Sequence, residues 1–341
     1  MKPRIRIVYT GGTIGMEPSV DGYRPGRAFS DLLRTALPIA PVAADTMPDW
    51  DVIELPQPID SANLQPQVWS QIGALLQADW ARYDGFVILH GTDTLAWTAS
   101  ALSFMLQGVD KPVILTGAQI PLTQPRSDGP ANLQAALALA AMPAVREVAV
   151  YFGRHLYRGN RCVKVSSAAF DGFDSPNYPA LARSAITLQI RQDLLLPASA
   201  AQFVVPQFQN AAVAVAHIYP GMGASVIHAL TQAPETRALI LRSYGAGNVP
   251  DADAGFMAAL EQVVARGITV VNTSQCLAGG VSQGAYQTSA ALTRIGVISA
   301  ADMTLEAAFA KLHFLLATET GPDRVRSLFR MPLAGECSLQ P

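Results

Sequence analysis

Charge is scarce in this sequence. Only 15% of its residues are Asp, Glu, Lys or Arg, and the formal net charge is −2. No basic run interrupts that balance, so electrostatic binding of nucleic acid or of an anionic membrane is not expected. Long hydrophobic runs are lacking too: the longest, Ala135 to Val145, is too short to span a bilayer. At the N-terminus Arg4 and Arg6 break the only apolar stretch, so no export signal is expected. Cysteine is rare. Cys162, Cys276 and Cys337 are odd in number and far apart, which excludes a disulfide framework and, without an export signal, fits a reduced cytoplasm. His90, His155, His217, His228 and His313 show no metal-ligand spacing with one another or with the cysteines, so no metal is expected. His90, just before Gly91, reads as a brace of the sheet edge and not as a catalytic group.

What the chain does hold is apolar bulk. Half of its 341 residues are hydrophobic, more than one ordinary core accommodates and enough for two domains. Strand-like runs at 4–10, 50–55, 85–90, 112–117 and 146–152 alternate with helical patterns at 66–82, 94–107 and 129–142. Asp60-Ser61 and Asp128-Gly129-Pro130 read as helix start signals. Such alternation predicts an α/β fold, with a larger N-terminal, doubly wound, mostly parallel sheet. The pattern lapses where Pro197 and Pro206 flank an Ala/Ser-rich stretch, then resumes with strands near 212–219, 238–243 and 268–273 and helices near 224–232, 252–266 and 304–317. The expected organisation is an N-terminal domain over 1–193, a linker over 194–211 and a smaller C-terminal α/β domain over 212–341.

Chemistry-bearing residues gather where the strands end. The first runs into Thr10-Gly11-Gly12-Thr13-Ile14-Gly15, and the second is followed by Asp60-Ser61-Ala62. The third leads into His90-Gly91-Thr92-Asp93-Thr94 and the fourth into Thr116-Gly117-Ala118-Gln119. An open α/β sheet presents its reactive groups at this carboxyl edge. Taken singly, each could be a tight turn or a helix cap, as Asp93 could be for 94–107. Four together point to a site. Thr13 is the candidate nucleophile, with Gly11 and Gly12 allowing backbone to approach a substrate. Thr92-Asp93 adds a hydroxyl and an anion. Lys164, one of only four lysines, can lose its proton when desolvated, as arginine cannot. Tyr23 lies in a Gly/Pro-punctuated stretch, Pro18 to Gly26, that suits a lid. These residues predict hydroxyl-based chemistry on a small polar substrate.

Together the motifs resemble the asparaginase family, in its cytosolic, bacterial type I branch. The resemblance rests on Tyr9 to Gly15 and on Asp84 to Thr94, with Ser103 to Leu106, Leu156 to Arg161 and Leu241 to Gly245 in support, and it covers essentially the whole chain. It implies hydrolysis of L-asparagine to aspartate and ammonia through an ester on Thr13, with Tyr23 on a mobile loop and Thr92, Asp93 and Lys164 as a second catalytic set. Asp60, Ser61, Ala62, Thr92, Asp93 and Ala118 would bind the substrate. Ala118 stands where some relatives have serine, so a side-chain hydrogen bond is missing there. No metal or organic cofactor, no nucleic acid and no membrane are implied; a homodimer or homotetramer is. Some cytosolic members also carry an activating asparagine site, whose positions match Arg242, Ser274, Gln275 and Cys276. Val163 departs from that pattern, since such members can carry threonine there.

Two alternatives compete. Gly280-Val281-Ser282-Gln283-Gly284 fits G-x-S-x-G, and Asp302 and His313 follow in α/β-hydrolase order. That motif needs a strand ending at the serine, whereas the strand-like run stops near Cys276. A nucleotide-binding module is the non-enzymatic alternative, but Gly11-Gly12 is followed neither by Gly-Lys-Ser/Thr nor by the G-x-G-x-x-G spacing.

Overall fold

The computed structural model describes residues 2–26, 29–36, 47–282 and 287–338. The chain divides into two compact units, Met1–Val205 and Pro206–Pro341. In chain order, the strands of the first are β1 (Arg4–Gly11), β2 (Met16–Ser19), β3 (Gly22–Pro25), β4 (Asp49–Ile59), β5 (Gly85–Leu89), β6 (Leu106–Gln107) and β7 (Val113–Thr116). They continue with β8 (Val148–Phe152), β9 (His155–Arg158), β10 (Val163–Lys164), β11 (Phe173–Asp174), β12 (Ala182–Ser184), β13 (Leu188–Ile190) and β14 (Gln202–Phe203).

Eight of these form one sheet in the order β13-β12-β9-β8-β7-β5-β1-β4. The five strands from β4 to β8 are parallel, and β9, β12 and β13 extend the sheet antiparallel. β5 reads Gly-Phe-Val-Ile-Leu and is buried at every position, the continuous apolar run of a strand covered on both faces. Helices Pro66–Asp79, Leu95–Met105 and Gly129–Ala140 connect the parallel strands. Ile5, Ile7, Val87, Leu89 and Ile114 of the sheet share one core cluster with Leu133, Leu137 and Leu139 of the last of these helices.

The stretch expected as a lid is a β-hairpin. β2 pairs antiparallel with β3, setting Glu17 opposite Arg24 and Pro18 opposite Tyr23. Gly22, at φ 107°, lets the turn close. Within 194–205, the Leu196 N–H donates to Glu147 (2.9 Å), and β14 pairs with β6.

In the second unit, β15 (Val213–His217), β16 (Ala238–Ser243), β17 (Thr269–Ser274) and β18 (Ile298–Ser299) form a parallel four-stranded sheet. Leu239, Leu241 and Val270 pack with Ile227 of helix Ala224–Thr231 and with Phe256, Leu260 and Val263 of helix Ala254–Ala265. Among the described residues, no helix is long and apolar enough to cross a membrane.

Candidate active site

The carboxyl ends of β1, β4, β5 and β7 meet backbone to backbone. Gly11 and Gly12 have φ of 118° and 86°, conformations that L side chains rarely adopt. A side chain on Gly12 would collide with the backbone of Gly91, one on Gly91 with Ser61, and one on Gly117 with the His90 carbonyl. Hydrogen bonds fasten the same junction. The Gly12 N–H donates to the Ile59 carbonyl (3.1 Å), Thr10 Oγ1 to the Leu89 carbonyl (2.9 Å) and Thr94 Oγ1 to the Ser61 carbonyl (2.8 Å). Thr13 opens a single 3-10 turn, Thr13–Gly15, directly beyond this contact and is half-buried. Ser61, Thr92 and Ala118 are buried, whereas Asp60 and Ala62 are exposed. The Asp60 carboxylate caps the turn Ser61–Asn63 by accepting from the Ala62 N–H (3.2 Å).

A cation enters this junction from the β10–β11 hairpin. Lys164 Nζ donates to Thr92 Oγ1 (2.8 Å) and to Asp93 Oδ1 (2.6 Å). Asp93 therefore serves the lysine and is not a helix cap: the cap of Leu95–Met105 is Thr94, without a side-chain cap bond. The Lys164 side chain is 21% exposed and that of Asp93 60%, so solvent screens the pair and its net stabilisation is small. Its value is positional, since it holds an ammonium against a threonine hydroxyl. The hairpin is tied back to β7 by Gln119, whose Nε2 donates to the carbonyls of Ser166 (3.3 Å) and Ala169 (3.0 Å).

A family model described as "Asparaginase, N-terminal" matches residues 4–195, and one described as "Glutaminase/Asparaginase C-terminal domain" matches 212–329. The chain belongs to the asparaginase family. It is 44% identical to "L-asparaginase 1" of Escherichia coli K12 over 336 residues, 98% of each chain. The crystal structure of L-asparaginase I from Vibrio cholerae superposes with a TM-score of 0.89 at 39% identity, covering 99% of this chain and 100% of that one. The thermostable L-asparaginase from Thermococcus kodakarensis gives 0.88 at 31%, with the same coverage.

In this asparaginase-family chain the remaining sequence candidates fall as follows. Tyr23 sits on β3, 53% exposed, and its hydroxyl makes no hydrogen bond among the described residues. Arg242, Ser274, Gln275 and Cys276 come together in the second unit, at the ends of β16 and β17. Gln275 Nε2 donates to the Ile218 (2.6 Å) and Arg242 (2.7 Å) carbonyls, Ser274 Oγ donates to the Gly245 carbonyl (2.6 Å), and Cys276 N–H donates to Ser274 Oγ (3.0 Å). Arg242 Nε is buried without a partner among the described residues. The nucleophile elbow around Ser282 is not formed: β17 ends at Ser274, and Ser282 lies on an irregular segment whose N–H donates to the Ala246 carbonyl (3.1 Å). His313 is buried on helix Leu305–Thr318 against Phe208 and Phe309, while Gln283 and Gly284 lie outside the described residues.

Two supports of the site were not foreseen. The Asp128 carboxylate does not cap its helix; it accepts from the N–H groups of Gln119 and Ile120 (3.0 Å each), while Ser127 Oγ accepts from Gly129. Asn132 donates to the Gly117 carbonyl (3.0 Å) and accepts from the Gly153 N–H (3.2 Å). The loop after β7 thus rests on the helix that follows it. Sequence spacing offers no sign of this, because a carboxylate before a helix reads as a cap.

Proposed function

We propose that this chain is an L-asparagine amidohydrolase, releasing aspartate and ammonia through an ester on Thr13. It is an asparaginase-family hydrolase, and the observation that carries the reading is a threonine-bearing glycine turn locked against a Lys-Thr-Asp cluster. In the proposed reaction, Thr13 Oγ attacks the side-chain amide carbon of asparagine while its proton passes toward the Thr92–Lys164–Asp93 set. Backbone N–H groups near Thr92 stabilise the oxyanion. The C–N bond breaks as the nitrogen takes up a proton and leaves as ammonia. Water then adds to the β-aspartyl ester, and aspartate departs with Thr13 restored. Asp60, Ser61, Ala62, Thr92, Asp93 and the Ala118 backbone hold the α-amine and α-carboxylate, and the β2–β3 hairpin carries Tyr23 over the bound amide. None of these steps calls on a metal or organic cofactor.

We place the enzyme in the cytoplasm as a homodimer or homotetramer, with the domain limits expected from the sequence. Mass spectrometry after rapid quenching with L-asparagine tests the mechanism: an aspartyl adduct on the Thr13 peptide is expected, and an adduct elsewhere would overturn the assignment. The Arg242 Nε, buried without a partner among the described residues, favours a second reading at Arg242, Ser274, Gln275 and Cys276, an effector site in which the guanidinium takes a carboxylate. A sigmoidal dependence of ammonia release on asparagine supports it; a hyperbolic curve removes it.

A further inference from the structure

Behind the junction lies a buried chain of three side chains that the mechanism above does not use. Trp69 Nε1 is 3.2 Å from Thr98 Oγ1, Thr98 Oγ1 is 2.9 Å from His90 Nε2, and His90 Nδ1 is 2.8 Å from the carbonyl oxygen of Gly91. All three residues are at most 2% exposed. The two ends of the chain decide its direction. An indole nitrogen can only donate and a carbonyl oxygen can only accept. Trp69 therefore gives its proton to the Thr98 oxygen, and His90 gives the Nδ1 proton to Gly91. Burial pushes the His90 pKa down to about 4, so the ring is neutral and Nε2 carries a lone pair that receives the Thr98 proton.

We propose that Trp69, Thr98 and His90 form a one-way hydrogen-bond relay that positions the Gly91–Thr92 peptide of the active site. This rests on the amidohydrolase reading and adds to it. Gly91 is where the β1 turn, the β4 end and the β5 end touch, and its carbonyl lies in the same rigid plane as the Thr92 N–H. Holding that oxygen fixes where the N–H points. It also steadies Thr92, whose hydroxyl receives Lys164. His90 touches no reacting atom in this scheme and exchanges no proton during turnover. It is a positioning residue, kept in one tautomer by Thr98 as outer-shell partners keep a metal-bound imidazole in one.

The test pairs a spectroscopic readout with kinetics on the full-length enzyme. Long-range proton–nitrogen correlation spectra of histidine-labelled protein, without substrate, should show His90 protonated on Nδ1 and bare on Nε2. Replacing Thr98→Val removes the donor to Nε2 at nearly constant volume. Release of ammonia from L-asparagine should then lose roughly 10- to 100-fold in kcat with KM changed less than about twofold, the pattern of lost transition-state alignment. Thr98→Ser, which restores the hydroxyl, should recover most of that loss. A wild-type His90 protonated on Nε2, or a folded Thr98→Val enzyme with undiminished kcat, overturns the relay. If Thr98→Val does not fold, the wild-type tautomer and a reduced kcat in Trp69→Phe decide the matter. The expected tautomer in an enzyme that releases no ammonia from asparagine supports the relay's direction and overturns the amidohydrolase reading instead.

Discussion

At the scale of single residues, the proposed site separates a hydroxyl assigned to the attack from groups assigned to prepare it. Thr13 sits beyond two glycines in left-handed conformation, at a backbone contact no larger residue permits. Thr13→Ala leaves the backbone turn in place and removes the hydroxyl together with the γ-methyl group, so near-normal folding with ammonia release lowered at least about 10³-fold is expected. Thermal melting beside steady-state assay checks both halves. Lys164 is argued the same way. Its ammonium lies within 2.8 Å of Thr92 and 2.6 Å of Asp93, so Lys164→Met keeps the stem and loses the proton carrier. General acid–base groups contribute roughly 10²–10⁴-fold, and kcat should fall by an amount in that range while the melting temperature moves little, since the pair is solvent-screened. A variant retaining most of its kcat would remove Lys164 from proton transfer.

At the scale of elements, the glycine turn carries a structural prediction. Gly12→Ala must adopt φ near 86° and push its Cβ into the Gly91 backbone. Strained conformations of this kind cost about 1–3 kcal/mol before any collision is counted, so reduced stability and loss of activity should arrive together. Substrate protection in a thermal melt is the check. This turn was legible beforehand because glycine and threonine after an apolar strand have few other uses, and the parallel strands with their helices followed from alternation of pattern. Other elements were hidden for identifiable reasons. The β2–β3 hairpin is short, polar and punctuated by Pro18 and Pro25, so it reads as loop. Strands β9, β12 and β13 are three or four residues long and owe their place to pairing with the sheet edge. Asp128, Asn132, Thr98 and Trp69 support the site through contacts made across the fold, which local spacing does not reveal. A second element-level prediction concerns Lys311 of helix Leu305–Thr318. Its ammonium, fully buried, meets the Glu336 carboxylate at 2.5 Å and the carbonyls of Phe329 (2.8 Å) and Met331 (2.6 Å). Glu336 in turn accepts from the Leu333 and Ala334 N–H groups. Removing one partner, as in Lys311→Met, leaves a buried carboxylate uncompensated and should cost about 3–5 kcal/mol, whereas Lys311→Met with Glu336→Leu should cost less. Denaturant midpoints of the single and double variants test the order.

Across the whole molecule, each unit buries a histidine that folding keeps neutral. Burial lowers the pKa of His90 in the first unit and of His313 in the second from 6.5 to about 4. Between those values the unfolded chain binds protons that the native fold refuses. Unfolded therefore holds more protons than native, and the linkage relation makes stability rise with pH across that window. The contribution is complete above about pH 6.5 and is lost progressively as the pH falls toward 4, by up to about 3 kcal/mol for each histidine. The prediction is a denaturant midpoint that drops between pH 7 and pH 4.5. His313→Phe lies outside the proposed active site and removes one of the two titrations, so whatever it costs at pH 7, its midpoint should fall less steeply with acid than that of the unchanged chain. Equal steepness in the two proteins would show that His313 titrates alike in the folded and unfolded states. The acid loss would then belong to groups other than His313.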